Sequence, residues 1–223
     1  MAGISLIFGL LAAVICLQAT DADFYTKEYR KLGVAKDIGI SAEDLEETTR
    51  VLMDYTTGER EDMVVEADFG GERKEFFNDK EKSHMIDVRK LYLGAERLAY
   101  IALIGGAVIL AALMIFSRQR SAVLQGYRMG NYIFLAVFAL IALYAAMDFS
   151  AFWTSFHHVF FTNDLWLLDP DTDNMILMFP ERFFFDLVFR IVAWFAGIGA
   201  VLYAASWLGS KKIGKKGGKA HVS

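Results

Sequence analysis

Residues 98–117, LAYIALIGGAVILAALMIFS, decide the fold, because this uncharged hydrophobic run is long enough to cross a bilayer. Gly105 and Gly106 within it predict close helix packing, since small residues let helix backbones approach one another in lipid. Three further hydrophobic runs lie at residues 3–18, 131–147 and 183–208. Together the four runs predict an integral membrane protein with four transmembrane helices.

The composition of the 223-residue chain agrees with this prediction. Hydrophobic residues make up 55% and aromatic residues 14% of it, which is too apolar for an ordinary soluble domain. The single cysteine, Cys16, excludes a disulfide framework and a cysteine-rich metal site. The sequence contains no phosphate-binding loop, dinucleotide fingerprint or Gly-x-Ser-x-Gly elbow. We therefore expect no cofactor, no metal and no nucleic-acid partner.

The first hydrophobic run, residues 3–18, has two interpretations. It is at the short end for a transmembrane helix, and it could be a cleaved signal peptide. However, it lacks a basic start, and Cys16 follows valine and isoleucine rather than the small residue of a lipoprotein cleavage site. We therefore expect it to be retained as a transmembrane helix.

Residues 21–96 form a contrasting polar region. They contain 20 acidic and 12 basic side chains, so they belong in water. Ser41 to Asp44 resembles a capping box that begins a helix, Gly70-Gly71 is a hairpin turn signal, and Asn78 to Glu81 should cap a further helix. The region is therefore predicted to be a small cap of helices and one hairpin.

The orientation follows from the positive charges. The connector after residue 117 carries three arginines and the tail carries five lysines, and neither contains Asp or Glu. The positive-inside rule therefore places both termini in the cytoplasm and the cap outside. The expected fold class is an all-α membrane protein in which four transmembrane helices carry a small extracytoplasmic α/β cap. The predicted segments are transmembrane helices at 1–20, 97–117, 130–149 and 182–208, the cap at 21–96, a cytoplasmic loop at 118–129, an extracytoplasmic aromatic and histidine segment at the membrane interface at 150–181, and a basic cytoplasmic tail at 209–223.

The chemistry is expected on the cap side. Three of the four histidines, His84, His157 and His158, lie there, whereas His221 in the tail is expected to be idle. Imidazoles can move protons near neutral pH, and Asp87, one helical turn after His84, could fix the tautomer of that ring. Alternatively, His84 and Asp87 occupy a solvated helix face and the aromatic residues form an ordinary interfacial belt. A three-histidine metal site is disfavoured, because adjacent histidines rarely point to one centre.

Charged residues in the fourth hydrophobic run leave a transporter as one alternative. Asp186 and Arg190 are spaced to pair on a helix, with Arg182 one turn earlier, and ionisable groups at membrane depth are often functional. The first three runs offer few polar residues to line a path. The other alternative is a non-catalytic membrane partner whose cap binds another extracytoplasmic protein.

Two groups of residues resemble the lipoprotein intramolecular transacylase family. They are Glu81-x-x-His84-Met85-x-Asp87-Val88-Arg89-x-Leu91, followed downstream by Phe156-His157-x-x-Phe160-Phe161-x-x-x-x-Trp166-x-x-x-Pro170-x-x-Asp173 and Phe179-Pro180-x-x-Phe183-Phe184. The resemblance runs from the cap to the start of the last hydrophobic run. His158 departs from it, because an acidic residue is expected at that position.

The resemblance implies an acyltransferase of the bacterial cytoplasmic membrane whose substrate is a diacylglyceryl-modified lipoprotein. The sn-2 acyl chain would move to the α-amine of the N-terminal cysteine and leave a lyso-form lipoprotein, with no cofactor and with the enzyme favoured as a monomer. It also implies site residues: His84 and His157 as the acid and base, in either assignment; Asp87, Arg89, Trp166 and Asp173 in support; and Phe156, Phe160, Phe161, Phe183 and Arg182 for substrate binding.

The geometry of such a site needs one more feature. If the helix carrying His84 ran straight into the second transmembrane helix, His84 would stand well above the membrane edge. His157, in a segment expected to lie along the interface, could then not reach it. Glycine is costly in a helix interior, so we expect a break or kink near Leu93 and Gly94.

Overall fold

The computed structural model describes residues 2–219 and is mainly helical. Among these residues, four helices are long and apolar enough to cross a membrane, namely α1, α5, α6 and α9. This confirms the predicted class, an all-α membrane protein that crosses the membrane several times. The elements are α1 (Ala2–Ala19), α2 (Ala22–Leu32), α3 (Val34–Ile38), α4 (Ala42–Thr57), β1 (Glu66–Asp68), β2 (Arg73–Glu75), α5 (Asp79–Phe116), α6 (Arg120–Met147), α7 (Phe149–Phe160), α8 (Asn174–Met178) and α9 (Glu181–Lys219).

The chain divides into two compact units, of which the first contains most of the hydrophobic sequence. It comprises Met1–Ile15, Glu96–Ala146 and Arg190–Ser223. Small residues allow its helices to approach closely, as predicted for Gly106, where an added Cβ would lie 2.8 Å from the side chain of Leu6. Its buried core contains Ile7, Val14 and Phe195.

The second unit comprises Cys16–Ala95 and Met147–Phe189. Its local structure follows the predicted signals: Ser41 Oγ accepts a hydrogen bond from the backbone N–H of Asp44 at the start of α4. The antiparallel strands β1 and β2 flank Gly70-Gly71, where both glycines have positive φ. At the start of α5, Asn78 and Glu81 each accept a hydrogen bond from the backbone N–H of the other.

The break predicted at Leu93-Gly94 is wrong, because α5 is helical from Asp79 to Phe116. The polar half of α5 is braced along its length by the end of α4. The Arg89 guanidinium lies 4.7 Å from the centre of the Tyr55 ring, and Leu93 packs beside Gly58. These contacts offset the modest helix penalty of one glycine.

Several segment boundaries also differ from the expected ones. Helix α6 begins at Arg120, so only residues 117–119 separate it from α5. Helix α9 extends through Lys219, well into the segment predicted as a tail. The aromatic segment predicted at 150–181 contains two helices, α7 and α8, that the sequence did not suggest. Apolar spacing on α7 and the cap formed by Asp148 explain that helix, since the Asp148 carboxylate accepts from the N–H of Ala151.

Candidate active site

His84 lies on the second turn of α5 and is buried. Its ring meets the edge of Phe161 with the ring centres 5.2 Å apart, and its Nδ1 is enclosed without a hydrogen-bond partner among the residues described. Burial lowers the pKa of His84 to about 4, with a further lowering from His157 that outweighs the opposite effect of Asp87. His84 is therefore neutral at physiological pH.

His157 lies near the C-terminal end of α7 and is also buried. Its Nδ1 is 2.7 Å from the carbonyl oxygen of Trp153, one turn earlier. Because a carbonyl oxygen can only accept, Nδ1 carries the proton in the neutral ring and Nε2 keeps a free lone pair. Burial lowers the pKa of His157, and the Trp153 carbonyl opposes this shift.

The structure brings these two histidines into one site. The centres of their rings lie 6.3 Å apart with an interplanar angle of 30°, and Phe161 touches both. The rings do not hydrogen bond to each other. Two imidazoles on either side of the gap between them can act as proton acceptor and donor.

Aromatic rings enclose His157 on several sides. The indole of Trp166 stacks on it with a centre-to-centre distance of 4.7 Å, and Trp153 meets it edge-on at 4.9 Å. Trp166 was predicted as a supporting residue, whereas Trp153 was missed. The spacing of Trp153, four residues before His157, would have placed it on the same helix face had the segment been recognised as helical.

Asp87 does not hold the ring of His84, contrary to expectation. Its two carboxylate oxygens accept hydrogen bonds from Asn163 Nδ2 at 2.9 Å and Lys90 Nζ at 3.1 Å. These bonds, Asn163 first, lower the pKa of Asp87. Asp87 therefore fastens the loop between α7 and α8 to α5. Asp87 and Asn163 are 76 positions apart, and no local sequence pattern reveals that they pair.

Asp173 is the second anchor of the same loop. The buried carboxylate accepts hydrogen bonds from Asp169 N, Asn78 Nδ2, Lys80 Nζ and Thr172 Oγ1. Burial acts to raise the pKa of Asp173, but these four bonds together outweigh it and hold the pKa below its ordinary value. Asp173 thus joins the end of the loop to the start of α5, two turns from His84.

Glu81 is a site residue that sequence reasoning left without a role. It is fully buried one turn before His84, and it accepts hydrogen bonds from the backbone N–H groups of Asn78, at 2.7 Å, and of Met175, at 2.5 Å. Burial raises the pKa of Glu81 despite these two bonds. The signal that could have found it is the Asn78–Glu81 capping box, which fixes its side chain toward the protein.

Three predicted residues lie away from the imidazole pair. Arg89 covers Tyr55 of α4, as described above. Phe183, predicted to bind substrate, is fully buried among aromatic residues of α2, with its centre 5.0 Å from Tyr25 and 5.5 Å from Tyr29, and so belongs to the core. Arg182 lies over Phe185 and donates to Asp186 at 3.0 Å.

The remaining aromatic candidates lie nearer the histidines. Phe156 contacts His157 with ring centres 5.5 Å apart, and Phe160, which is about half exposed at 51%, packs on Phe156. Phe161 is buried between the two imidazoles, as described above. The exposed ring of Phe160 is thus the one candidate of this group open to an acyl chain.

Two further predictions concern charged and histidine residues. The predicted partner of Asp186 was Arg190, but the bonds that its carboxylate accepts come from Arg182, one turn earlier, and from Lys31 of α2 at 2.6 Å, a partner the sequence did not suggest. His158 is exposed and meets the edge of Trp166 at 5.2 Å. His221 lies outside the described residues.

Within residues 2–219, no three His, Cys, Asp or Glu side chains are grouped to hold a metal ion.

A wide groove of about 920 Å³ lies elsewhere in the cap and contains none of these residues. It is lined by the start of α4 and by the hairpin, including Glu43, Glu47 and Asp68. Its lining is polar and mainly acidic, so its chemistry does not suit a lipid chain. The buried imidazole pair, and not this groove, is the candidate active site.

Four transmembrane helices together with a buried pair of imidazoles define a multi-pass membrane protein with a site suited to proton transfer. The sequence profile of the family described as "Lipoprotein intramolecular transacylase Lit" matches residues 1–184. The chain belongs to this family and is an acyltransferase that acts on lipoproteins. Because this is a family of enzymes, the two alternative predictions, a non-catalytic membrane partner and a transporter, are wrong.

Solved structures show the same fold. The chain is similar to the lipoprotein intramolecular transacylase Lit from Bacillus cereus with a TM-score of 0.77 and 20% identity, over 96% of this chain and 94% of that one. A form of that protein with a histidine-to-arginine mutation gives a TM-score of 0.71 and 19% identity, over 97% of this chain and 91% of the other. A comparison with curated protein sequences gives no significant match.

Proposed function

We propose that the protein moves the sn-2 acyl chain of a diacylglyceryl lipoprotein to the α-amine of its N-terminal cysteine. An amide bond forms between the ester carbonyl carbon and the amine nitrogen, and the bond from that carbon to the glyceryl oxygen breaks. One proton passes from the amine to the glyceryl oxygen, so no water, cofactor or external acyl donor is consumed. The observation that carries this proposal is the buried pair of imidazoles 6.3 Å apart.

The two histidines have different roles in this reaction. The free lone pair on Nε2 of His157 accepts the proton that the attacking amine loses, because Nδ1 is engaged with the Trp153 carbonyl. His84 is neutral and can hydrogen bond to the glyceryl oxygen as that oxygen departs, while protonated His157 passes its proton on to the oxygen and returns to the neutral form. A neutral imidazole at this position avoids placing a second cation beside protonated His157.

The surrounding residues contribute orientation and exclusion of water. Donor and acceptor belong to one substrate molecule, so holding amine and ester together can contribute about 7–11 kcal/mol. Trp166 and Phe161 shield the gap, and Asp173 and Asp87 hold the loop that carries them. Exclusion of water favours attack by the amine over hydrolysis of the ester. The exposed Phe160 would contact the acyl chains.

The proposed orientation places both termini in the cytoplasm and the cap outside the cell. The arginines before and within the start of α6 and the lysines of the tail support it, because these segments lack acidic residues. In this orientation the imidazole pair lies on the side where lipoproteins are displayed. A monomer is sufficient for the reaction, since both histidines come from one chain.

The product is an isomer of the substrate, so the mass of the intact lipopeptide does not change and the assay has to locate the acyl chain. Purified protein would be incubated with a synthetic diacylglyceryl lipopeptide. Tandem mass spectrometry should locate one acyl chain on the N-terminal residue, and mild alkali should then release one ester-linked chain instead of two. A mixture of isotopically heavy and light lipopeptides should give no crossed products. Crossed products, or no N-acyl product, would contradict the proposal.

Histidine variants test the shared acid–base role. His84→Ala and His157→Ala should each abolish nearly all transfer, and the double variant should be little worse, because each residue depends on the other. His158→Ala and His221→Ala should keep substantial activity. If the losses of the two single variants multiplied in the double variant, the two histidines would act separately.

A further inference from the structure

Two buried polar atoms at the candidate site lack a hydrogen-bond partner among residues 2–219. One is Nδ1 of His84 and the other is Nε1 of Trp166. The indole nitrogen is a donor only, so it can be satisfied only by an acceptor. A buried donor without a partner is unfavourable and rare, and such a group needs a physical explanation.

The position of Trp166 suggests which acceptor it meets. Its ring lies nearly parallel to that of His157, with centres 4.7 Å apart and an angle of 27°, and nearly perpendicular to that of His158, with centres 5.2 Å apart. The proposed attack of the amine takes place beside His157. As the amine adds to the ester, the carbonyl oxygen gains negative charge, and the groups described so far provide no donor for that oxygen.

We propose that Trp166 is a catalytic residue whose indole N–H donates a hydrogen bond to the sn-2 carbonyl oxygen. This rests on the proposed function. The bond strengthens as the oxygen becomes an oxyanion in the tetrahedral intermediate and weakens when the carbonyl re-forms in the amide. Trp166 neither gains nor loses a proton, because proton transfer remains with the two histidines.

The covering of Nε1 implies that the loop moves when substrate enters. Trp166 lies in the non-helical part of the connection between α7 and α8, with Leu167 beside it about half exposed at 52%. The ester group displaces the contacts that now enclose the N–H and replaces them with an acceptor. Substrate binding thereby satisfies a donor that is unsatisfied in the closed free enzyme.

The test removes the donor while keeping the shape of the ring. Trp166 would be replaced by β-(3-benzothienyl)alanine, in which sulfur takes the place of the N–H group. We expect kcat to fall about 100- to 1000-fold, as for loss of one oxyanion donor, with KM little changed. Affinity for a phosphonate lipopeptide that mimics the tetrahedral intermediate should fall by a similar factor.

The same replacement at Trp194 is the matched control. That residue lies on α9 and is about half exposed at 52%, so its replacement should leave kcat unchanged. Full activity of the variant at position 166 would overturn the inference and reduce Trp166 to a packing residue. If that variant is active while His84→Ala and His157→Ala are inactive, the proposed function survives and only this inference fails. If the histidine variants are active, the proposed function itself fails.

Discussion

Asp173→Asn should release the loop that holds Trp166 on His157. The buried carboxylate accepts four hydrogen bonds, two on each oxygen: Oδ1 from Asn78 at 2.8 Å and Thr172 at 3.1 Å, and Oδ2 from Asp169 N at 2.8 Å and Lys80 at 3.1 Å. Asparagine keeps one oxygen and directs an NH₂ group at the other two donors. Two of the four bonds are therefore lost whichever way the amide is turned.

The magnitude depends on which donors lose their acceptor. Lys80 is 39% exposed and can turn to water, so its loss is minor. The backbone N–H of Asp169 and the amide of Asn78 donate to Asp173 in a partly buried position, and a donor that loses its acceptor away from water costs about 1–3 kcal/mol. A cost of about 2 kcal/mol lowers the ratio of docked to undocked loop about 30-fold. If the undocked loop becomes the major form, the rate of acyl transfer should fall in proportion to the docked fraction.

Two measurements report the effect. Limited proteolysis within residues 162–172 should accelerate, and the rate of lipopeptide isomerisation should fall. Asp171→Asn is the matched control, because it makes the same chemical change two residues away on an exposed side chain, and it should alter neither measurement. A double-mutant cycle with Asn78→Ala should show coupling, since Asn78 acts through Asp173. Unchanged proteolysis and unchanged activity in Asp173→Asn would refute the anchoring role.

Two further predictions concern protonation and topology. His84 should remain neutral in NMR titrations down to about pH 5, with no change of protonation near pH 6.5. In the unfolded chain this histidine binds a proton near pH 6.5, whereas in the folded protein it does so only near pH 4. The free energy of unfolding should therefore fall as the pH drops from 6.5 to 4. A normal titration near 6.5 would show that His84 is solvated. In a Cys16→Ala background, a membrane-impermeant maleimide added outside the cell should label a cysteine introduced at Glu72 but not one introduced at Gly214. The opposite labelling pattern would show that the protein has the reverse topology.

Local sequence signals predicted much of the fold because their physical causes are local. The capping boxes at Ser41 and Asn78 satisfy the first N–H groups of their own helices, and the Gly70-Gly71 turn needs only backbone freedom. The transmembrane helices could likewise be predicted from local sequence, since a helix that crosses a bilayer needs a hydrophobic run of a definite length. The missed helix α7 shows the limit, because its residues were predicted only as an aromatic and histidine segment at the membrane interface.

Partners that are distant in sequence could not be predicted in this way. Asp87 stands one turn from His84 and has the right spacing to orient it, yet Asn163 and Lys90 occupy its oxygens. Lys31 reaches Asp186 across 155 positions. In each case one of the donors, Asn163 or Lys31, comes from another element, and only the folded packing decides that it reaches the carboxylate. The pairing of His84 and His157 came from the family resemblance rather than from any pattern of spacing.

Gly94 provides a test of how the imidazoles are brought together. The sequence predicted a hinge there, but Gly94 is helical and exposed, and an added Cβ would meet nothing within 4 Å. Since alanine is favoured over glycine in a helix by about 1 kcal/mol, Gly94→Ala should raise the free energy of unfolding by up to that amount. Acyl transfer should be unchanged, because α5 is helical through Gly94 and the residues packed on His157 come from α7 and the anchored loop. A thermal melt in detergent and the isomerisation assay measure both effects, with Gly94→Pro, which must distort the helix, as the inactive reference. A large loss of activity in a stable Gly94→Ala variant would show that α5 has to bend at Gly94 during turnover.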